Sequence, residues 1–305
     1  MISRFKKIVL VGLTSLFGIH YAGATESGQN ASPVGVNTVL TGVLPAPGHA
    51  VYLDYLQFYN ADSTMNGSGK NAVHGFQAQL LVNASRFLYT WRPGFDNFHI
   101  TSGFVLPVVM RASLSTPARS GNNGGVSDVT LQPLAINYVS PDHRVFSWFG
   151  VDIFVPTGQY SKANTVNIGR NYYSFVPDIN LTWFASPRLQ LSLHGQWEFH
   201  TTNTVTDYHS GDIGFVTYAA DYAPFTQVNR LHFAIQGYAL GQFTNDTQYG
   251  KIFNGGYRGQ AFAIGPQVRW SWAGGGVALK WQHEFLVRNR TAGDRIWLQF
   301  SVPIL

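Results

Sequence analysis

Leu189-Gln190-Leu191-Ser192-Leu193-His194-Gly195-Gln196-Trp197-Glu198-Phe199-His200 alternates without a break between two kinds of side chain. The odd positions carry leucine, glycine, tryptophan and phenylalanine, and the even positions carry only polar groups. A period of two places the two sets on opposite faces of a β-strand. A soluble sheet covered on one side can read in the same way. Here the pattern recurs along the chain with aromatic residues on the apolar side, as expected of a strand with lipid outside and water inside.

Outward from this stretch, twelve alternating segments are predicted, at 50–61, 73–91, 99–110, 126–139, 145–156, 171–185, 189–201, 213–223, 231–244, 259–272, 275–287 and 294–304. Two neighbours can be paired residue by residue. A two-residue turn at Ala273-Gly274 sets Trp272 against Gly275, Arg269 against Ala278, Val268 against Leu279 and Gln267 against Lys280. Both faces agree in that register, and a slip of one residue would mix them. His283 is a polar residue on the otherwise apolar face of its segment.

The connections alternate in length. Those at 91–98, 140–144, 186–188, 223–230 and 273–274 are short; those at 62–72, 111–125, 157–170, 202–212 and 244–258 are long and rich in Gly, Asn, Ser and Thr. Short periplasmic turns alternating with long outer loops characterise outer-membrane barrels. The expected fold is therefore an all-β transmembrane antiparallel barrel of about twelve strands, with both termini periplasmic, in the outer membrane of a Gram-negative bacterium.

Composition agrees with that class. Charged residues make up 11% of the chain and aromatic residues 15%, where a soluble domain carries about 25% charge. Arg4, Lys6 and Lys7, an apolar stretch from Ile8 to Phe17, and Ala22-Gly23-Ala24 form a secretory leader pattern, predicting cleavage before Thr25. The apolar stretch is too short to serve comfortably as a membrane anchor. Without the leader the chain carries 17 basic and 15 acidic residues, with no basic run of the kind that binds nucleic acid. The absence of cysteine excludes disulfides and thiolate metal sites. His200, Asp207, His209 and Asp212 fit no ligand spacing, so solvated loop polarity is the expectation there and no metal or other cofactor is implied.

Trp91, Trp148, Trp183, Trp270 and Trp272 fall near short-turn ends, where an aromatic girdle is expected. Pro107, Pro133, Pro177 and Pro266 fall inside predicted strands, marking bulges or misplaced boundaries. Residues 25–49 do not alternate and read as a periplasmic arm or a plug in the lumen, ahead of a barrel over 50–305.

Asp128 follows a Gly-rich loop and precedes Pro156-Thr157-Gly158-Gln159-Tyr160 and Asn167-Ile168-Gly169-Arg170-Asn171. Thr206-x-Tyr208-x-Ser210-Gly211-Asp212, Gln242-x-x-Asn245-Asp246, Gly265-Pro266, and Glu284 followed by Arg288-Asn289-Arg290 come next. In order and spacing, over roughly 40–305, these resemble the outer-membrane transporter family named for the meta-pathway of phenol degradation. The resemblance implies passage of aromatic or other hydrophobic compounds, and it brings no catalytic residues. One departure is the C-terminus. Outer-membrane barrels often end in an aromatic residue read by the barrel-assembly machinery, whereas this chain ends Val302-Pro303-Ile304-Leu305.

The polar residues at inward phase are His194, Gln196, Glu198, His232, Gln236, Gln242, Gln267, Arg269, Lys280, Gln282 and Glu284, with Tyr218 and Tyr238 assigned to the same side. Amides and imidazoles replace lost hydration without strong charge, which suits a solute path. Tyrosines among them suit a phenolic solute, which needs an apolar wall and a polar tip contact. The competing reading is that these residues brace a narrow barrel, with Arg269, Lys280 and Glu284 as a bracing cluster, since unpaired charge in a narrow lumen is costly.

Three function classes follow: a channel for small aromatic or hydrophobic solutes, a structural or surface-interaction barrel acting through its loops, and a membrane-embedded hydrolase. The loops lack an aromatic or arginine anchor cluster. Ser192, His194 and Glu198 share one face, but same-face neighbours on a strand lie roughly 7 Å apart, too far for a nucleophile–base hydrogen bond.

Overall fold

The computed structural model describes residues 25–92, 95–225 and 230–305. The predicted leader, 1–24, lies outside them, as do parts of the connections predicted at 91–98 and 223–230. Twelve strands form the wall: β1 (Ala50–Thr64), β2 (Gln77–Thr90), β3 (Phe98–Ser115), β4 (Val129–Val139), β5 (Val145–Val155), β6 (Ser174–Phe184), β7 (Leu189–His200), β8 (Ile213–Tyr222), β9 (Leu231–Gln242), β10 (Gln260–Trp272), β11 (Gly275–Arg288) and β12 (Thr291–Pro303). Each pairs antiparallel with its neighbours in sequence, and β1 pairs with β12, so the sheet closes into a barrel. Closure leaves no strand edge unpaired in lipid.

Each predicted segment lies on one of these strands. The β10–β11 hairpin turns at Ala273-Gly274, with Trp272 opposite Gly275, Arg269 opposite Ala278, Val268 opposite Leu279 and Gln267 opposite Lys280, the register read from face matching. The stretch 111–125 differs from expectation. In place of a loop, β3 continues to Ser115 and pairs with a short strand, Ser120–Val126, around a turn at 116–119. Its glycines and asparagines hide the alternation. Two other long connections contribute Tyr208–His209, Thr247–Gln248 and Lys251–Ile252, which form a small antiparallel sheet.

The prolines resolve in two ways. Pro133 lies at a bulge, where pairing jumps from Leu131–Ile153 to Leu134–Val151, as a missing ladder donor favours. Pro177 and Pro266 stay in register, opposite Val151 and Ile235.

The outer wall is apolar: Phe149, Ile179, Leu193, Ile235, Leu279 and Leu298 all face outward and are exposed. Trp91, Trp183, Trp197, Trp270 and Trp281 are exposed with them. Two tryptophans point the other way. Trp148, expected in the girdle, is 3% exposed and turned into the lumen, where its indole N–H donates to Thr41 O at 2.7 Å. Trp297 is buried on the same inner side. The outer wall also carries polar pairs. His283 Nδ1 lies 2.9 Å from Asp294 Oδ1, which also accepts from Trp281 Nε1. Asp54 accepts from Tyr52 Oη (2.9 Å) and Asn83 Nδ2 (2.8 Å).

Inside the barrel lies the non-alternating segment 25–49. It starts at the long-loop rim, where Thr25 meets Asp246 and Glu26 meets Ser210. It leaves at the short-turn rim, where Gly48 N bonds Thr90 O and Ala50 pairs with the C-terminal Leu305. Ala50 and Leu305 thus share one rim, while Thr25, the first described residue, lies at the other.

Candidate functional site: the barrel lumen

The inner segment has no strand to pair with, so the wall's side chains satisfy its backbone. Near the long-loop rim the Glu198 carboxylate accepts from Ala31 N (2.9 Å) and Ser32 N (2.8 Å), while Ser32 Oγ donates to Gln196 Oε1 (2.8 Å). At mid-depth Lys280 Nζ donates to Gly35 O (2.7 Å), Val36 O (2.5 Å) and Thr38 Oγ1 (3.2 Å). Its ammonium also lies 5.3 Å from the centre of the Trp297 ring, a cation–π distance. Gln282 and Gln299 donate to Gly35 O and Val36 O. Thr217 Oγ1 donates to Asn37 O, and Thr38 Oγ1 to Gln267 Oε1. Lower down, Gly42 N donates to Thr182 Oγ1 at 2.9 Å.

Gly35 is closely packed. Its φ is +80°, and a Cβ there would stand 2.6 Å from the Gln282 amide and 2.8 Å from the Tyr238 ring. Only glycine combines that backbone conformation with that closeness at no steric cost.

The remaining lumen residues form separate networks. Glu284 accepts from Tyr59 Oη (2.9 Å), Gly293 N (3.0 Å), Arg295 Nη2 (2.9 Å) and Tyr238 Oη. The Arg295 guanidinium lies 4.3 Å from the centre of the Tyr59 ring. Asp221 holds both Arg269 (3.0 Å) and His232 (2.7 Å). Asp178 lies 2.8 Å from His194 Nε2 and accepts from Gln196 Nε2 at 3.0 Å. Gln236 donates to Trp281 O and accepts from Gln282. Gln242 donates to Asp246 Oδ1 at 2.7 Å.

Arg269, Lys280 and Glu284 therefore belong to three different networks, and the single bracing cluster expected of them is corrected. Each found a nearer partner: Asp221, the inner segment's carbonyls and Arg295. Tyr218 is corrected too. It is 37% exposed on the outer wall, and its hydroxyl reaches Ala263 O at 3.2 Å. The inward residues of β8 are Ile213, Phe215, Thr217, Ala219 and Asp221, all buried. The apolar character of Ile213, Phe215 and Ala219 conceals the phase of that strand.

Asp178, Asp221 and Arg295 are lumen residues that the sequence reading passed over. Each stands at the even spacing of inward positions in its strand, beside Asn180, Thr217 and Trp297; the period-two signal is present for Asp178 and Arg295, while the apolar Ile213 and Phe215 mask it for Asp221.

Among the described residues, Ser192, His194 and Glu198, which share one face, are not joined to one another by hydrogen bonds. Ser192 Oγ bonds Thr182 and Gln190, not His194. Ser174 Oγ lies 2.9 Å from His200 Nδ1, but His200 Nε2 is 3.8 Å from Glu198, whose two oxygens are held by Ala31 and Ser32. A distance of 3.8 Å is not a hydrogen bond.

The loop motifs gather at the long-loop rim in two knots around the inner segment's start. Asp128 accepts from Gly158 N (2.9 Å) and Arg170 N (3.0 Å) and pairs with the Arg170 side chain at 3.1 Å. Arg170 Nη1 then donates to Asn30 O and Ala31 O. In the second knot Asp246 accepts from Gly211 N (2.7 Å), Tyr208 Oη (2.7 Å) and Gln242. Residues far apart in sequence thus meet at the mouth.

The fold is similar to that of the COG4313 outer membrane channel from Pseudomonas putida F1, with a TM-score of 0.76 at 17% identity, covering 90% of this chain and 99% of that one. That likeness establishes the fold, a closed antiparallel β-barrel of the outer-membrane channel type. More distant likenesses are the translocator domain of the autotransporter NalP from Neisseria meningitidis (TM-score 0.45, 8% identity, 85% and 89% covered) and the TodX deltaS2S3 mutant monoaromatic hydrocarbon channel (TM-score 0.42, 8% identity, 85% and 91% covered). No curated protein matches the sequence. A family model described as "Putative MetA-pathway of phenol degradation" matches residues 61–300, most of the chain, and the chain belongs to that family.

Proposed function

We propose that the protein is an outer-membrane channel for the passive uptake of small aromatic or hydrophobic compounds of the phenol type. The observation that carries this reading is the composition of the inner wall. Tyr55, Tyr59, Phe215, Tyr238 and Trp297 are buried on the lumen side among Gln57, Gln196, Gln236 and Gln282. Aromatic surface with a few amide contacts suits a ring bearing one hydroxyl. The membership in a family linked to phenol degradation points the same way.

Passage requires the inner segment to shift, because Gln236 and Gln282 are fully buried against it and the wall. Most of its bonds are single side-chain-to-backbone contacts, each worth about 0.5–1.5 kcal/mol against water. A solute hydroxyl or water can take over such contacts one at a time. Transport on this reading is diffusion through a selective lumen, with no covalent step and no cofactor. The outer wall meets membrane lipid, and insertion falls to the barrel-assembly machinery.

The test is uptake of labelled phenols, fatty acids and sugars into liposomes carrying the purified protein. Phenol entry well above sugar entry is expected. Equal entry of all three, or none, overturns the proposal.

A further inference from the structure

Asp246 is fully buried, and its carboxylate is saturated by four donors: Gly211 N and Gln242 Nε2 on Oδ1, and Tyr208 Oη and the main-chain nitrogen of Thr25 on Oδ2. The last contact is 2.8 Å long and joins positions 221 residues apart. Among the described residues no side-chain cation lies within ion-pair distance of it. Glu26 is similar: its carboxylate is held by Tyr160 Oη, Thr206 Oγ1 and Asn203 Nδ2, all neutral. Among the described residues, neither of these two carboxylates at the start of the inner segment makes an ion pair. A buried carboxylate lacking one is costly, and burial pushes the Asp246 carboxyl up, against the pull of its donors.

Thr25 is also the residue that follows the small-x-small sequence Ala22-Gly23-Ala24. Cleavage there turns the Thr25 nitrogen from an amide into an α-ammonium.

We infer that Asp246 is the receptor for the mature α-amino terminus: leader cleavage before Thr25 creates an ammonium that ion-pairs with Asp246 and pins the inner segment to the long-loop rim. The peptide bond after Ala24 is hydrolysed by water; the acyl half leaves with the leader, and the new amine takes up a proton. Thr25 is 1% exposed, and its nitrogen already points at the carboxylate. Tyr208, Gly211, Gln242 and Asp246 come from two of the loop motifs, and the pairing gives these four residues a shared task. The inference rests on the outer-membrane location and is independent of which solute passes.

The test uses protein purified from outer membranes. N-terminal sequencing is expected to read Thr25 first. Acylation of the α-amine at neutral pH, read by mass spectrometry of the N-terminal peptide, is expected to be slow. Pairing with a carboxylate raises the amine's pKa, and one unit means about tenfold less free base. Asp246→Asn keeps the shape of the pocket and removes the charge, and about tenfold faster labelling is expected. If that variant does not insert, a chain with one extra valine before Thr25 retains Asp246 but carries its amine one residue away, and it is expected to label equally fast. A mature start other than Thr25 overturns the inference. So does slow labelling that is unchanged in the variants, since burial alone would then account for it.

Discussion

Gly35 and Lys280 meet inside the lumen, and each can be altered without touching the barrel's hydrogen-bond ladder. Gly35→Ala places an L-residue at a φ of +80° with its methyl group against Gln282 and Tyr238. The backbone conformation alone costs about 1–2 kcal/mol, and the contact adds to it. That cost falls on the seated segment, because the wall ladder is unchanged. Planar-bilayer recordings are expected to show longer and larger open events, with heat-modifiable gel mobility as in the parent. Unchanged conductance would mean that the segment relaxes around the methyl group. Lys280→Met removes the donor to the carbonyls of Gly35 and Val36, which keep only the Gln282 and Gln299 amides. Losing such a donor costs about 1–3 kcal/mol. Relief of a buried ammonium offsets part of that in the protein as a whole. The expected outcome is therefore a split: more open channel at nearly unchanged unfolding midpoint. A large fall in midpoint would assign Lys280 to holding the wall.

At the scale of the strand, β7 offers a graded test of the bilayer assignment. Leu193 and Trp197 both face outward and are exposed, with Leu193 nearer mid-depth and Trp197 towards the long-loop rim beside Phe199. A charged residue on the lipid face costs about 2–4 kcal/mol at the midplane and about 0–1 near the interface. Leu193→Arg is thus expected to lower the unfolding free energy more than Trp197→Arg, and the reverse order would misplace the strand in the membrane. The strands themselves were legible in the sequence because lipid and lumen impose opposite polarity at every second residue. The β10–β11 register followed from the same rule, since only one alignment matches Val268 with Leu279 and Gln267 with Lys280. The rule failed where the lumen side is itself apolar. Ile213 and Phe215 face inward against the inner segment, so the polarity contrast of β8 vanishes and the outward direction of Tyr218 is hidden. The inward direction of Trp148 is hidden as well, because its partner, Thr41 O, lies on a segment with no pattern of its own. Glycine-rich pairing such as Ser120–Val126 carries no facial signal at all. The partners in the lumen were likewise hidden, because periodicity gives a side chain's direction and not its neighbours across the bore.

For the molecule as a whole, the wall and the inner segment are held by different forces, which makes them separable. The wall is a closed antiparallel ladder whose outer face is buried in lipid. The segment contributes no strand to that ladder and is held by side-chain contacts from β5 to β12 and from the rim knots. A chain lacking residues 25–46 but keeping the leader loses those contacts, while water entering the lumen can hydrate Glu198, Lys280, Gln282 and Gln299 in their place. Glu284, Asp221 and Asp128 keep their wall partners Arg295, Arg269 and Arg170, so no wall carboxylate among these is stranded. The truncated chain is expected to insert and to run as a heat-modifiable barrel. Its conductance should rise severalfold, and sugars should enter liposomes along with phenols, because the aromatic inner wall then faces a wider, wetter bore. Circular dichroism of the truncated chain should retain the strand signal. A barrel that inserts yet conducts no better than the parent would move the permeability barrier from the segment to the wall's own side chains.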